Sequence, residues 1–130
     1  MITSYIIAMF SAVLIDGVWL GVISKSLYQQ YIGDLMLKQA HIFPAIVFYV
    51  IFAAAITVFI IDPALKSGWT TGQVVFHGAL LGLVIYGGYD LTNLAILKNW
   101  PITISIIDMA WGVTLTTLVS VITLYLTKFF

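Results

Sequence analysis

The stretch Tyr86–Gly112, "YGGYDLTNLAILKNWPITISIIDMAWG", places two aspartates and two tryptophans between long apolar runs. The connection KNWP at its centre is short, so the helices on either side of it are predicted to be antiparallel neighbours. Pro101 suits the first turn of the second helix, where the backbone N–H has no helical partner in any case. This stretch therefore predicts a helical hairpin that carries Asp90 and Asp108.

The composition indicates a membrane protein. Hydrophobic residues make up 62% of the chain and charged residues only 8%, whereas soluble domains carry about 25% charged residues. The net charge is zero, so no nucleic-acid partner is expected and membrane lipid is the predicted surrounding. The chain has no cysteine, which excludes disulfides and thiolate metal sites. No cofactor and no metal site are predicted.

Four apolar stretches are long enough to cross a bilayer, which takes roughly 20 residues. They cover about residues 2–23, 42–61, 74–97 and 102–127. Only helices satisfy their own backbone hydrogen bonds in lipid at this apolarity. The predicted fold is therefore all-α, an integral membrane four-helix transmembrane bundle that forms a single membrane domain over residues 1–130.

Three aspartates are predicted at one depth in the membrane. We call the membrane face that holds the KNWP connection the hairpin face, and the opposite one the N-terminal face. Asp16 and Asp90 lie about two turns before their spans reach the hairpin face, and Asp108 lies about two turns after its span leaves it, which puts all three roughly 10 Å below that face. Intramembrane acids usually face the bundle interior and mark function. We therefore expect an acidic pocket that opens toward the hairpin face, with at least one of the three acids protonated.

Aromatic and amide side chains are predicted to line this pocket. Tyr86, Asp90 and Asn93 share a helix face, and Tyr89 lies one turn from Asn93. A tryptophan follows two of the aspartates by three residues, and aromatic rings beside carboxylates can hold organic cations. Tyr49 of the second span reaches about the same depth. The candidate ligand-binding and proton-carrying residues are Asp16, Asp90, Asp108, Asn93, Tyr86, Tyr89, Trp19 and Trp111.

Two G-x-x-x-G motifs predict close helix contacts. One consists of Gly17 and Gly21 in the first span, and the other of Gly78 and Gly82 in the third. Small residues at this spacing let helix backbones approach each other. Both motifs are therefore expected to pack against neighbouring helices.

The motifs YDLTNLAILKNWP, DMAWG and DGVWLG resemble those of an uncharacterised family of small bacterial four-span inner-membrane proteins, over essentially the whole chain. This resemblance implies a multi-pass protein of the bacterial inner membrane and implies no activity. A fainter similarity links the Trp-Pro pair before Asp108 to lipoprotein signal peptidase. The asparagines that flank the catalytic aspartates of that family are not reproduced here.

Three functions stay open on this basis. The first is binding of a lipid or a small polar or cationic ligand with proton-linked transport, and because four-span drug exporters act as antiparallel dimers, it includes a homodimer. The second is a membrane-embedded enzyme that uses paired aspartates on a lipid or peptide. The third is a structural or assembly subunit. Basic groups balance across the two faces and indicate no orientation: Lys25, Lys38 and Lys98 at the hairpin face, and Lys66, Lys128 and the amino terminus opposite.

Overall fold

The computed structural model describes residues 1–37 and 41–130, which fold into helices joined by short connections. Four of the helices are long and apolar enough to cross a membrane, and the described residues contain no strand. The predicted all-α four-helix transmembrane bundle is therefore confirmed. Lys38, which the sequence places at the hairpin face, lies outside the described residues. The helices are α1 (Ile2–Ile23), α2 (Lys25–Ile32), α3 (Ile42–Ser67), α4 (Thr71–Ile96) and α5 (Ile102–Phe129).

The helix boundaries follow from local chemistry. Helix α3 continues to Ser67 and stops at Gly68, whose φ of 63° is left-handed and suits a residue without Cβ. Thr70 and Gln73 then form a capping box that satisfies free N–H groups at the start of α4. Between α4 and α5 the chain turns at Asn99, which adopts φ 60°, a conformation that asparagine tolerates better than most residues.

Large side chains fill the interior toward the N-terminal face. Phe52, Ile56 and Ile60 of α3 are almost completely buried in a cluster with Leu115 and Val119 of α5. The closest helix pair is α4 and α5, and α1 packs against both α3 and α5. Because lipid tails are as apolar as leucine, close packing rather than water exclusion holds such helices together.

The two glycine motifs behave differently. A Cβ added at Gly78 would lie 3.0 Å from the Cα of Thr117, and one added at Gly82 would lie 2.5 Å from the carbonyl oxygen of Gly112. At Gly82 only glycine permits this approach of α4 to α5, and at Gly78 a side chain would require the neighbouring backbone to shift. Gly17 and Gly21 have no atom of a neighbouring element within 4 Å of such a Cβ, so the prediction that the first motif packs against another helix of the chain is wrong.

Candidate functional site

Asp16 ends a stripe of small buried residues on α1. Ser4, Ala8 and Ala12 precede it at intervals of one helical turn and face the bundle interior. Asp16 is only 5% exposed, so its carboxylate needs donors. The Tyr49 hydroxyl donates to its Oδ2 at 2.5 Å, and Nε1 of Trp111 donates to its Oδ1 at 2.8 Å. Asp16 thus ties α1 to α3 and α5.

Asp108 receives its donor from the connection between the first two spans. The hydroxyl of Tyr28, on α2, donates to its Oδ1 at 2.6 Å, and Nε1 of Trp19 donates to the same hydroxyl at 3.4 Å. Burial, and then the hydrogen bond to Asp108, raise the pKa of the Tyr28 hydroxyl above its usual range. Tyr28 therefore keeps its proton at neutral pH and remains a donor to Asp108.

Asp90 is the acid without a donor. Its side chain is completely buried, and neither carboxyl oxygen has a hydrogen-bond partner among the described residues. Its acidic neighbour is Asp108, which lines the same cavity. The surrounding polar contacts go elsewhere, since Ser105 donates at 3.3 Å to the backbone carbonyl of Asp90 and Trp100 donates at 2.9 Å to Ser105.

The three acids line two adjoining cavities. The Asp16 cavity has a volume of about 360 Å³ and the Asp90 cavity one of about 530 Å³. Asp108, Tyr89 and Leu20 border both. Other lining residues of the Asp16 cavity are Phe48, Ile85, Tyr86 and Trp111. The Asp90 cavity is also lined by Gly21, Lys25, Tyr28, Gln29, Ile32, Met36, Leu37, Trp100 and Ile104.

Two tryptophans brace the wall of the Asp16 cavity. The rings of Trp19 and Trp111 stack with centroids 4.4 Å apart and an interplanar angle of 9°. Trp111 lines the cavity while Trp19 stands behind it. The stack fixes the orientation in which Trp111 donates to Asp16.

Most of the sequence-predicted residues meet around these cavities. One or both cavities are lined by the three aspartates, Tyr86, Tyr89 and Trp111. Trp19 lines neither cavity but stacks on Trp111. Asn93 is half-buried and lines neither cavity, because it lies nearly one turn beyond Asp90, where α4 approaches its end.

Tyr28 and Trp100 belong to the site although the sequence did not single them out. Tyr28 lies outside the spans, and nothing in the sequence distinguishes it from Tyr31 as the tyrosine that reaches Asp108. Trp100 is suited by position to the membrane interface, yet it is only 9% exposed and packs with Tyr28 and Ile104.

The acids do not form one metal-binding group. Across residues 1–37 and 41–130, no three histidine or acidic side chains are placed to hold a common ion. The reason is that Asp16 is hydrogen-bonded to Tyr49 and Trp111 and lines the Asp16 cavity, whereas Asp90 lines the Asp90 cavity. What the arrangement offers is a pair, Asp90 and Asp108, beside a separately anchored third acid.

Comparison with known proteins identifies a family. The model of the family described as "Predicted membrane protein (DUF2177)" covers residues 1–125 of the chain. No curated protein and no solved structure matches the chain.

Proposed function

Since the chain belongs to the DUF2177 family of predicted membrane proteins and carries four helices able to span a membrane, we propose that it binds a small organic cation at Asp90 and Asp108 in exchange for a proton. The observation that carries this proposal is Asp90 itself. A buried carboxyl group without any donor is unfavourable unless a proton or a ligand compensates it, and Asp90 lines a cavity large enough for a ligand.

A shared proton compensates the pair of acids. Two neighbouring carboxylates repel each other, and neither can donate a hydrogen bond while both are ionised. One proton between Asp90 and Asp108 removes the repulsion and supplies the missing donor. An ammonium group that enters the cavity offers three donors and a full positive charge, so it takes over both tasks as the proton leaves. The charge of the site stays constant, as proton-linked exchange requires.

Aromatic side chains near the acids support an organic cation rather than an inorganic one. Tyr89 borders both cavities, and Tyr86 and Trp111 line the Asp16 cavity. Ring faces attract alkylammonium groups, and the attraction is stronger where water is excluded. We also propose the bacterial inner membrane as the location, in line with the motif resemblance, and a homodimer as the working form.

Proton release on binding tests the proposal. Butylammonium, added to the purified protein in weakly buffered detergent solution at neutral pH, is expected to bind and to release a proton. Asp90→Asn is expected to abolish the release, because the amide side chain does not ionise and therefore has no proton to release. Asp62→Asn is the matched control, since Asp62 is bonded to Lys66 at 2.9 Å outside both cavities and its loss is expected to leave the release unchanged. Absence of binding and release in the parent protein refutes the proposal.

A membrane-embedded enzyme is the second candidate, and the pairing of Asp90 with Asp108 favours it. The two carboxyl groups have different surroundings, since Asp108 accepts a hydrogen bond from Tyr28 and Asp90 accepts none. Such a difference suits one group to act as acid and the other as base. New products from a bacterial lipid extract or a membrane-embedded peptide, lost in both Asp90→Asn and Asp108→Asn, would favour the enzyme over the carrier.

A further inference from the structure

Lys25 stands at the mouth of the Asp90 cavity without neutralising its acids. It lies in the first turn of α2, is exposed, and lines the same cavity as Asp90 and Asp108. Within the part of the chain that the structure describes, the single ion pair joins Lys66 to Asp62, so Lys25 is bonded to neither acid of the cavity. Gln29, one turn further along α2, lines the cavity beside it.

A lysine at this position weakens the binding of a ligand that carries only a positive charge. Such a ligand has to pass and then remain near the Lys25 ammonium, and like charges repel each other. A ligand with both charges meets no such penalty. Its ammonium group can reach the acids while its anionic group accepts hydrogen bonds from Lys25 and Gln29.

From this separation of charge we propose that the ligand is a small zwitterion of the amino-acid type, held with its ammonium group inward and its carboxylate at Lys25. This inference rests on the proposed function and names its ligand class. Apolar side chains that line the cavity suit an alkyl linker; they include Ile32, Met36, Leu37 and Ile104.

The order of the charges argues against a phospholipid headgroup. Lys25 is the second residue after the end of the first span, whereas the acids lie roughly 10 Å deeper along the helices. The site therefore places a ligand's ammonium group deeper than its anion. A zwitterionic phospholipid in its bilayer orientation has the opposite order, with the phosphate nearer the acyl chains. A free zwitterion that enters from the hairpin face with its ammonium group first has the order that the site requires.

Two matched probes test the assignment. 5-Aminopentanoate carries both charges, and 5-aminopentanamide has nearly the same shape with the ammonium group alone. Calorimetry on the purified protein in detergent at neutral pH is expected to show roughly tenfold tighter binding of 5-aminopentanoate, the value of one charge-assisted hydrogen bond. Lys25→Gln removes the charge but keeps a polar side chain at this exposed position. It is expected to remove this preference while 5-aminopentanamide still binds. Lys98→Gln removes a charge at the same membrane face, outside the cavity, and is expected to keep the preference.

The outcomes separate the inference from the proposed function. Equal binding of both probes by the parent, or a preference that persists in Lys25→Gln, overturns the zwitterion while cation binding stands. Failure of both probes to bind overturns the proposed function as well. A further arm repeats the titration in nanodiscs of phosphatidylglycerol with and without phosphatidylethanolamine. If phosphatidylethanolamine blocks the probe in the parent but not in Lys25→Gln, the ligand is a lipid headgroup and the free zwitterion is overturned.

Discussion

The pair α4 and α5 fills its interior in two different ways along its length. In the glycine seam, formed by Gly78, Gly82 and Gly112, the two helices are so close that a Cβ at Gly112 would overlap the side chain of Tyr86. Near the hairpin face the same two helices enclose part of a cavity of about 530 Å³ beside Asp90. One end of the pair has no room for a methyl group, and the other has room for a ligand.

This contrast separates the scaffold from the site. Close backbone contacts fix the relative position of two helices, because no side chain can adjust there. The distance between α4 and α5 near the hairpin face is set by these contacts, and the acids there leave the space between the helices open. The seam is therefore expected to contribute most to stability, and the Asp90 cavity is expected to determine binding.

The largest effect is expected from a side chain placed in the seam. Gly82→Leu forces a branched chain against the carbonyl oxygen of Gly112 and the Cα of Val113, and since neither backbone atom can move aside, we expect a loss of upwards of about 3 kcal/mol. Thermal unfolding in detergent, followed by circular dichroism, measures it. Gly17→Leu is the matched control, because Gly17 faces open space. Equal melting temperatures for the two variants would remove the distinction between seam and surface.

A smaller loss is expected when the anchored acid is removed. Asp16→Leu leaves the Trp111 N–H and the Tyr49 hydroxyl without their acceptor, and one buried donor without a partner costs roughly 1–3 kcal/mol. Urea or thermal unfolding in detergent gives the loss. Trp111→Phe combined with Asp16→Leu is expected to lose less than the sum of the two single changes, since the same hydrogen bond is removed twice. Full additivity would show that Asp16 does not act through Trp111.

Tyr28→Phe probes the link between the connection and the acidic end. It removes one hydrogen bond to Asp108, and we expect a loss of about 1 kcal/mol at neutral pH. The raised pKa of Tyr28 means that the folded protein keeps a proton that the unfolded chain releases at high pH. This contribution to stability is fully present below about pH 10 and declines above it. Between pH 8 and pH 11 the free energy of unfolding is therefore expected to fall less steeply in Tyr28→Phe than in the parent. Parallel profiles would contradict the role of Tyr28 as the donor to Asp108.

The smallest effect on stability is expected at the acid without donors. Asp90→Leu deprives no donor in the structure of a partner and removes a buried carboxyl group that has no partner itself, so we expect a change within about 0.5 kcal/mol or a gain. The measurement is the same unfolding experiment as for Asp16→Leu, which is the matched control because it also replaces an aspartate by leucine. A loss as large as that of Asp16→Leu would mean that Asp90 is a structural acid.

The sequence by itself determined that the chain forms four helices long and apolar enough to span a membrane. Long apolar stretches leave the backbone no partner in lipid other than its own helix, so this conclusion needs no tertiary contact. The helical rise also predicts that Asp16, Asp90 and Asp108 lie at a similar depth. The short KNWP connection makes α4 and α5 neighbours, and for this reason the sequence alone predicts that Asp90 and Asp108 lie close together.

Only the tertiary structure decided which acid has donors and which glycines pack. Asp16 and Asp90 are the same residue type at similar depth, yet Tyr49 and Trp111 point at one and no donor reaches the other among the described residues. Gly17 and Gly82 belong to identical motifs, yet only Gly82 meets a neighbouring helix. The periodicity of apolar residues and the depth of a residue along its helix are local properties. The rotation of a helix about its own axis and the identity of its neighbours depend on all the helices packed around it.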